Sequence, residues 1–200
     1  MASVVEGCKA RAQAGGWLAR PAGWALRLHK LYPGDVGVVL ALLLNDVHLE
    51  PGEALYLPPR RLHAYVQGVG IEIMASSDNV LRGGLTPKHV NVAELLRVLD
   101  FSPWRVDPIA PRQAGEELVY DTPAPEFRLS RIELDPARSC RIGERRGPEI
   151  VLCTRGQATL VDARGRAHDL DQGGSTFVPF ASGSYTIEGR GQLFRAAVGG

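Results

Sequence analysis

The sequence predicts a mainly β protein built from jelly rolls, with a few helices at its N-terminal end. Short β-rich runs after Leu43 are separated by Pro-Gly, Pro-Pro and Gly-x-Gly turns, and further such runs follow residue 125. Short strands with turn signals between them are typical of antiparallel sandwiches and barrels. Helical composition is concentrated before residue 43, in too little chain to close a bundle of its own.

The helices are predicted from composition and from their stop signals. Residues 3–14 and 23–32 have helical composition, and a Tyr-Pro-Gly-Asp sequence ends the second of them. Asp35 can cap a third helix over 36–42, because its carboxylate accepts from the free backbone N–H groups of a first turn. A fourth helix over 90–101 is amphipathic, and its apolar stripe consists of Val92, Leu95, Leu96 and Leu99.

Changes in pattern along the chain predict four parts. Residues 1–42 look like the end of a helical domain, and 43–101 like the C-terminal half of a β barrel with its helix. Residues 102–125 are rich in proline and charge, which favours a connector. Residues 126–200 then form a second small β-sandwich.

Charge excludes some classes of partner. The chain has 200 residues and a formal net charge of +1, so it lacks the basic excess that nucleic acids or anionic membranes attract. We expect neither partner. The arginine pairs are predicted to be solvated surface: Arg60 with Arg61, and Arg145 with Arg146.

Cysteine content and hydropathy predict a cytoplasmic protein. Cys8, Cys140 and Cys153 are odd in number and widely separated, which indicates neither a disulfide framework nor a cysteine zinc site. The longest apolar run, 36–44, is about half the length that a membrane-spanning helix needs. No export signal is visible at the N-terminus.

A metal-ligand motif surrounds His63. The run GEALYLPPRRLH has Gly-Glu, four residues, a proline, and a histidine five residues beyond that proline, which is the second motif of cupin barrels. In that motif a strand, a proline-bearing turn and a return strand direct an imidazole into the barrel, where it can bind a metal. Arg60 stands where cupins usually have glycine, the residue that tolerates most backbone conformations.

The second β unit contains a parallel run without the histidine. In GGSTFVPFASGS, Gly173 matches Gly52 and Pro179 matches Pro58, but Ser184 stands where His63 stands. This alignment predicts a metal ligand in the first unit and a structural or regulatory role for the second.

Residues 72–101 concentrate groups that a sugar-phosphate site would use. Arg82 and Lys88 offer cationic contacts to a phosphate or an oxyanion, and Glu72 or Asp78 could transfer protons. A loop of surface salt bridges has the same composition, so both interpretations stay open on the residues alone.

Residues 42–101 closely resemble type I phosphomannose isomerase, and the run SDNVLRGGLTPKHV is highly specific to that family. Residues 126–200 resemble, more weakly, its C-terminal β domain. The resemblance implies a zinc-dependent enzyme, with one zinc in the full-length protein, that interconverts mannose 6-phosphate and fructose 6-phosphate by proton transfer through an enediol.

Matched residue by residue, the resemblance assigns roles to six positions. His63 falls on a zinc ligand and Arg82 on a catalytic arginine. Glu72 and Lys88 fall among the residues expected to serve catalysis. The substrate-binding positions are Tyr65, Asp78 and again Lys88.

The family's other zinc ligands, a Gln-x-His pair and a glutamate, have no counterpart in this sequence, and a zinc site needs at least three protein ligands. The chain is therefore expected to be a C-terminal part, with weak or no zinc binding alone. The other histidines are expected to be surface or structural residues: His29, His48, His89 and His168.

A half barrel leaves unpaired strand edges and an uncovered apolar face, so we expect self-association or complementation by the missing N-terminal segment. The alternative function is a noncatalytic cupin-type module that binds a sugar phosphate. An iron-dependent cupin oxygenase is disfavoured, since no His-x-His motif is present.

Overall fold

A computed structural model describes residues 1–77 and 80–199 of the chain. The chain divides into two compact units. The first unit comprises residues 1–48, 57–69 and 77–107. The second comprises 49–56, 70–76 and 108 onward.

The three predicted N-terminal helices form, although the second begins four residues earlier than expected. They are α1 (Ala2–Ala14), α2 (Ala19–Leu31) and the short α3 (Gly37–Ala41). Their buried residues form one small core: Cys8, Ala22, Ala25, Leu28 and Val38. Within the described residues, no helix is both long and apolar enough to cross a membrane.

The strands predicted between Leu43 and residue 76 do not form a ladder. Residues 42–91 contain no described strand, and their one β-bridge joins Ala54 to Ile109 through hydrogen bonds of 3.0 and 2.8 Å. A strand needs a neighbour to accept and donate its backbone hydrogen bonds, and none of the described residues supplies one here. The prediction of paired strands in this segment is therefore wrong for the structure described.

The fourth helix, α4 (Val92–Val98), is shorter than predicted. The Asn91 side chain caps it by accepting a hydrogen bond from the Glu94 amide at 3.2 Å. Of the predicted apolar stripe, Leu95 is buried, whereas Val92 and Leu96 are each 57% exposed. The helical period was correct, but half of the apolar stripe lacks a covering surface among the described residues.

The second unit consists mainly of eight antiparallel strands. They are β1 (Arg112–Ala114), β2 (Glu117–Tyr120), β3 (Phe127–Leu134), β4 (Cys140–Ile142), β5 (Glu149–Asp162), β6 (Ala167–Asp171), β7 (Ser175–Val178) and β8 (Tyr185–Val198). The main strand order is β1-β2-β3-β8-β5-β6, with β4 on β8 and β7 on β5. The mainly β fold class is thereby confirmed. Two strands lie inside the predicted 102–125 connector, so regular structure begins earlier than expected.

Two long strands, β5 and β8, hold the second unit together. The first part of β5 pairs with β7 and its second part with β6, while the register between β5 and β8 shifts near Cys153 and Arg155. Such a bulge bends a strand and increases its twist. Residues from both parts of these strands share one buried core, including Val151, Leu160 and Ile187, so the bent sheet closes around it.

A network of buried charges also lies in the second unit. Glu149 is 2% exposed, and its carboxylate accepts hydrogen bonds from both Arg195 and the Tyr185 hydroxyl. The Arg145 side chain, 2% exposed, lies 3.3 Å from the Glu149 carboxylate and donates to backbone carbonyls such as Val178 O. The prediction that Arg145 is solvated surface is therefore wrong, because its guanidinium is buried against a carboxylate.

Candidate functional site

The turn before His63 forms although Arg60 replaces the glycine of the cupin motif. Arg60 has φ = 69°, in the left-handed region that glycine adopts freely. A residue with a Cβ loses about 1–2 kcal/mol in this conformation. Its Nε donates to Val98 O at 2.7 Å and its carbonyl accepts from the Asp100 amide at 3.1 Å, and these hydrogen bonds help to hold the turn.

Arg61 fastens the same turn to the chain that follows α4. Its guanidinium lies 2.9 Å from the Asp100 carboxylate, donates to Ser102 O at 2.8 Å, and lies over the Trp104 ring at 5.5 Å from its centre. Hydrogen bonds from Ser102, assisted by the positive charge of Arg61, hold the pKa of Asp100 below its usual value. The prediction of solvated surface is wrong for Arg61, whose side chain is largely buried, whereas Arg60 is exposed as predicted although it bonds to Val98 O.

His63 is exposed, and the structure orients its ring. Its Nδ1 lies 3.0 Å from Arg61 O, and its ring meets the Tyr65 ring edge to face, with 5.9 Å between their centres. A carbonyl oxygen only accepts, so this contact favours a proton on Nδ1 and leaves the Nε2 lone pair free for a metal. Metal-binding histidines are commonly oriented by such a bond from the other ring nitrogen.

Two glycines bring the loop that carries Arg82 against the His63 turn. A Cβ at Gly83 would lie 2.7 Å from Leu62 Cδ1, so only glycine allows this approach to the residue before His63. At Gly84 a Cβ would lie 2.7 Å from Asp35 Oδ1. The loop that follows Arg82 therefore lies beside the residue that precedes His63.

Asp35 holds the other side of this loop, a role that sequence analysis missed. Its Oδ1 accepts from the Gly37 amide at 2.7 Å, as a helix cap would, and its Oδ2 accepts from the Leu85 amide at 3.0 Å. This first bond is of the kind that the capping prediction expected, although Val36 occupies the N-cap position of α3. The second bond of Asp35 joins residues fifty positions apart, which no local pattern reveals.

The other predicted site residues lie in different places. Arg82 is partly buried, and Lys88 is exposed, with its backbone amide donating to Thr86 Oγ1 at 3.1 Å. Glu72 is exposed and belongs to the second unit, and Asp78 lies outside the described residues. Within the first unit, the structure brings the chain around His63 and Arg82 together.

His63 fits a metal as one ligand of a set. No group of three or more histidine, cysteine, aspartate or glutamate side chains is placed to hold a metal within residues 1–77 and 80–199. Structural and catalytic zinc sites need at least three protein ligands. The described residues therefore offer one oriented imidazole and no complete coordination sphere.

The chain is similar to proteins of known identity over most of its length. It is 36% identical over 170 residues to the mannose-6-phosphate isomerase of Escherichia coli, a match that covers 84% of this chain and 43% of that protein. A probable mannose-6-phosphate isomerase of Dictyostelium discoideum is 37% identical over 162 residues, covering 77% of this chain and 36% of the relative. The chain thus spans less than half the length of these relatives. No protein-family model matches it.

Solved structures agree with the sequence match. The mannose 6-phosphate isomerase of Salmonella typhimurium, solved with its substrate fructose 6-phosphate and zinc, superposes with a TM-score of 0.83 at 33% identity. That superposition covers 98% of this chain and 49% of the other. The matched portion is the C-terminal half of those proteins.

Proposed function

We propose that this chain supplies part of the active site of a mannose-6-phosphate isomerase, because it is homologous to the C-terminal half of those enzymes. The observation that carries the proposal is the 33% identical match, over 98% of the chain, to a structure solved with fructose 6-phosphate and zinc. The oriented His63 imidazole and the adjoining Arg82 loop support it. The reaction interconverts mannose 6-phosphate and fructose 6-phosphate by moving a proton between C1 and C2.

Each predicted residue has a chemical role in that reaction. The Arg82 guanidinium stabilises the negative charge of the enediolate, and Glu72 or Lys88 transfers the proton. Tyr65, Asp78 and Lys88 contact the sugar phosphate. His63 would donate one nitrogen to the metal, and zinc bound there would polarise a sugar oxygen.

The remaining ligands and strand partners would come from polypeptide equivalent to the N-terminal half of the relatives. The lack of strands in residues 57–69 supports this step, because this segment also carries exposed apolar side chains such as Tyr65 and Val69. Without that polypeptide, exposed edges of this kind promote self-association. The free, buried cysteines agree with a reducing cytoplasm as the site of action.

A fusion protein tests the proposed function. The N-terminal half of the Escherichia coli relative, joined upstream of this chain, should isomerise mannose 6-phosphate in the presence of zinc. Arg82→Ala should lower kcat by about a hundredfold or more, because an oxyanion-stabilising group is lost. His63→Ala should lower the bound zinc per protein. Arg97→Ala, which removes an exposed arginine of α4, should keep full activity.

The Escherichia coli protein, cut and rejoined at the same junction, controls for the design. If that control is active and the fusion is folded but inactive, the chain is a noncatalytic module. Equal activities for Arg82→Ala and Arg97→Ala would refute the role given to Arg82.

A further inference from the structure

A cavity that shares no residue with the His63 site lies wholly within the second unit. Its volume is about 270 Å³, and it opens where the end of β5, the strands β6 and β7, and the turn before β8 meet. Small-molecule sites are concave and carry a few convergent polar groups on an apolar lining. Leu160, Val178 and Tyr185 supply the apolar lining of this cavity.

Polar side chains line the mouth of this cavity, on the strand faces that also carry buried residues. Side chains two apart on a strand share a face, and Asp162 follows the buried Leu160 by two positions. His168 and Thr176 precede the buried Leu170 and Val178 in the same way. His168 is exposed and Asp162 and Thr176 are partly buried, so these polar groups are accessible at the rim of the cavity.

Several of these polar groups have free hydrogen-bonding capacity. Within the described residues, no hydrogen bond to protein engages the His168 ring or the hydroxyls of Thr176 and Ser182. Imidazole and hydroxyl groups can each donate and accept. The cavity therefore offers both kinds of partner to a ligand.

The charges at the cavity cancel. Arg166 contacts the Asp162 carboxylate through Nε at 2.8 Å and through a terminal nitrogen at 2.7 Å. Asp162 also accepts from the amides of Arg164 and Arg166, each at 2.9 Å. With one carboxylate paired to one guanidinium, the site has no excess of positive charge to select an anion.

The run that parallels the cupin motif lines this cavity. Thr176, Pro179 and Ser182 all belong to GGSTFVPFASGS, whose Ser184 stands in the place of His63. The second unit thus has a cavity beside its copy of the motif, although that copy has a serine in place of the metal-ligand histidine. No metal-binding group of three was found there among the described residues.

We propose that this cavity binds a small, neutral, hydroxyl-rich molecule of the size of a free hexose. Sugar hydroxyls donate and accept at once, which matches the mixture of imidazole, hydroxyl, carboxylate and guanidinium groups. The apolar walls suit the C–H surfaces of the ring. This site is independent of the proposed isomerase activity, because none of its residues belongs to the His63 and Arg82 region.

A titration of the full chain with D-mannose, followed by amide NMR, tests the proposal. Saturable shifts should be confined to β6, β7 and residues 179–185, with a Kd in the millimolar range. Thr176→Val keeps the shape of the side chain but removes a hydroxyl, and it should weaken binding by about tenfold. Thr159→Val is the matched control, because Thr159 on β5 bonds to Asp169 outside the cavity, and it should bind as the wild type does.

A titration with mannose 6-phosphate distinguishes a site for neutral ligands from a site for anions. At the cavity it should bind no more tightly than mannose, and shifts near His63 would report on the isomerase site instead. The proposal is overturned if mannose gives no saturable shifts up to about 50 mM, well above a millimolar Kd. Equal weakening by both threonine variants, or tighter cavity binding of the phosphate, would also overturn it.

Discussion

The strands of the second unit and the segment from Leu43 to Ser77 share a sequence pattern but differ in structure. Both have short β-rich runs between turn signals. In the second unit every strand has a hydrogen-bonded neighbour, whereas the segment makes a single bridge, at Ala54. The pattern therefore indicates which residues can form strands, and a partner decides whether they do.

The two units also differ in the contacts that their arginine side chains make. In the second unit Arg145 and Arg195 are buried around Glu149, and every bond of this network is internal. In the first unit Arg60 and Arg61 stay near the surface and fix one turn through backbone carbonyls. One network stabilises a closed core, and the other orients a loop that carries the metal-ligand candidate.

The largest expected effect comes from breaking the closed network. Glu149→Ala leaves two buried guanidinium groups without their shared carboxylate, and it should lower the free energy of unfolding by about 3–5 kcal/mol. Urea denaturation followed by circular dichroism of the β signal measures this loss. Glu144→Ala removes an exposed glutamate nearby and should change stability by less than about 0.5 kcal/mol. Comparable losses in the two variants would contradict the central role of Glu149.

The bulge that bends the long strands should be the next most sensitive feature. Gly191 has φ = 151°, and a Cβ there would overlap the Arg155 carbonyl oxygen. Gly191→Ala should therefore cost about 2–3 kcal/mol in the free energy of unfolding. Gly165 also has a positive φ, but a Cβ there meets nothing within 4 Å, so Gly165→Ala reports conformational strain alone. If urea denaturation gives the same loss of unfolding free energy for both variants, the contact with the Arg155 carbonyl is not the reason for glycine at position 191.

Acid should weaken the second unit partly through Glu149. Burial alone would raise the pKa of Glu149, but hydrogen bonds from Arg195 and Tyr185 outweigh it and hold the pKa below its usual value. The stabilisation is therefore complete above the unfolded-state pKa, about 4.3, and is lost as pH falls through the lower folded-state pKa. Unfolding free energies measured between pH 7 and acid should fall less steeply in Glu149→Gln than in the wild type. Parallel pH profiles would assign the acid sensitivity to other carboxylates.

The sequence predicted the presence of helices and strands better than it predicted where each strand continues or ends. In the second unit β5 passes through Gly156 as one long strand, because a glycine within a strand pattern marks a bulge as readily as a turn. At the candidate site, the role of His63 as a metal ligand stays a prediction from the motif, and the helix-start signal pointed to Asp35, whose carboxylate accepts from the Gly37 amide. Neither could show that Leu62 meets Gly83, since contacts between distant segments depend on the folded chain.

The smallest expected effect tests the turn that orients His63. Arg60→Ala removes the hydrogen bond to Val98 O but keeps a Cβ at positive φ, so it should lower the free energy of unfolding by about 1 kcal/mol. Arg60→Gly loses the same bond but relieves about 1–2 kcal/mol of strain, so it should stay close to the wild type. Urea denaturation followed by tryptophan fluorescence measures both, because Trp17, Trp24 and Trp104 all lie in the first unit.

Equal losses in the two Arg60 variants would mean that the left-handed conformation is not strained, and that the glycine of the cupin motif serves another purpose at this position. A glycine variant more stable than the alanine variant would instead show that the arginine is retained for its bond to Val98 O, against its own backbone preference. In that case the turn before His63, unlike the strands of the second unit, depends on side-chain contacts made by Arg60 and Arg61.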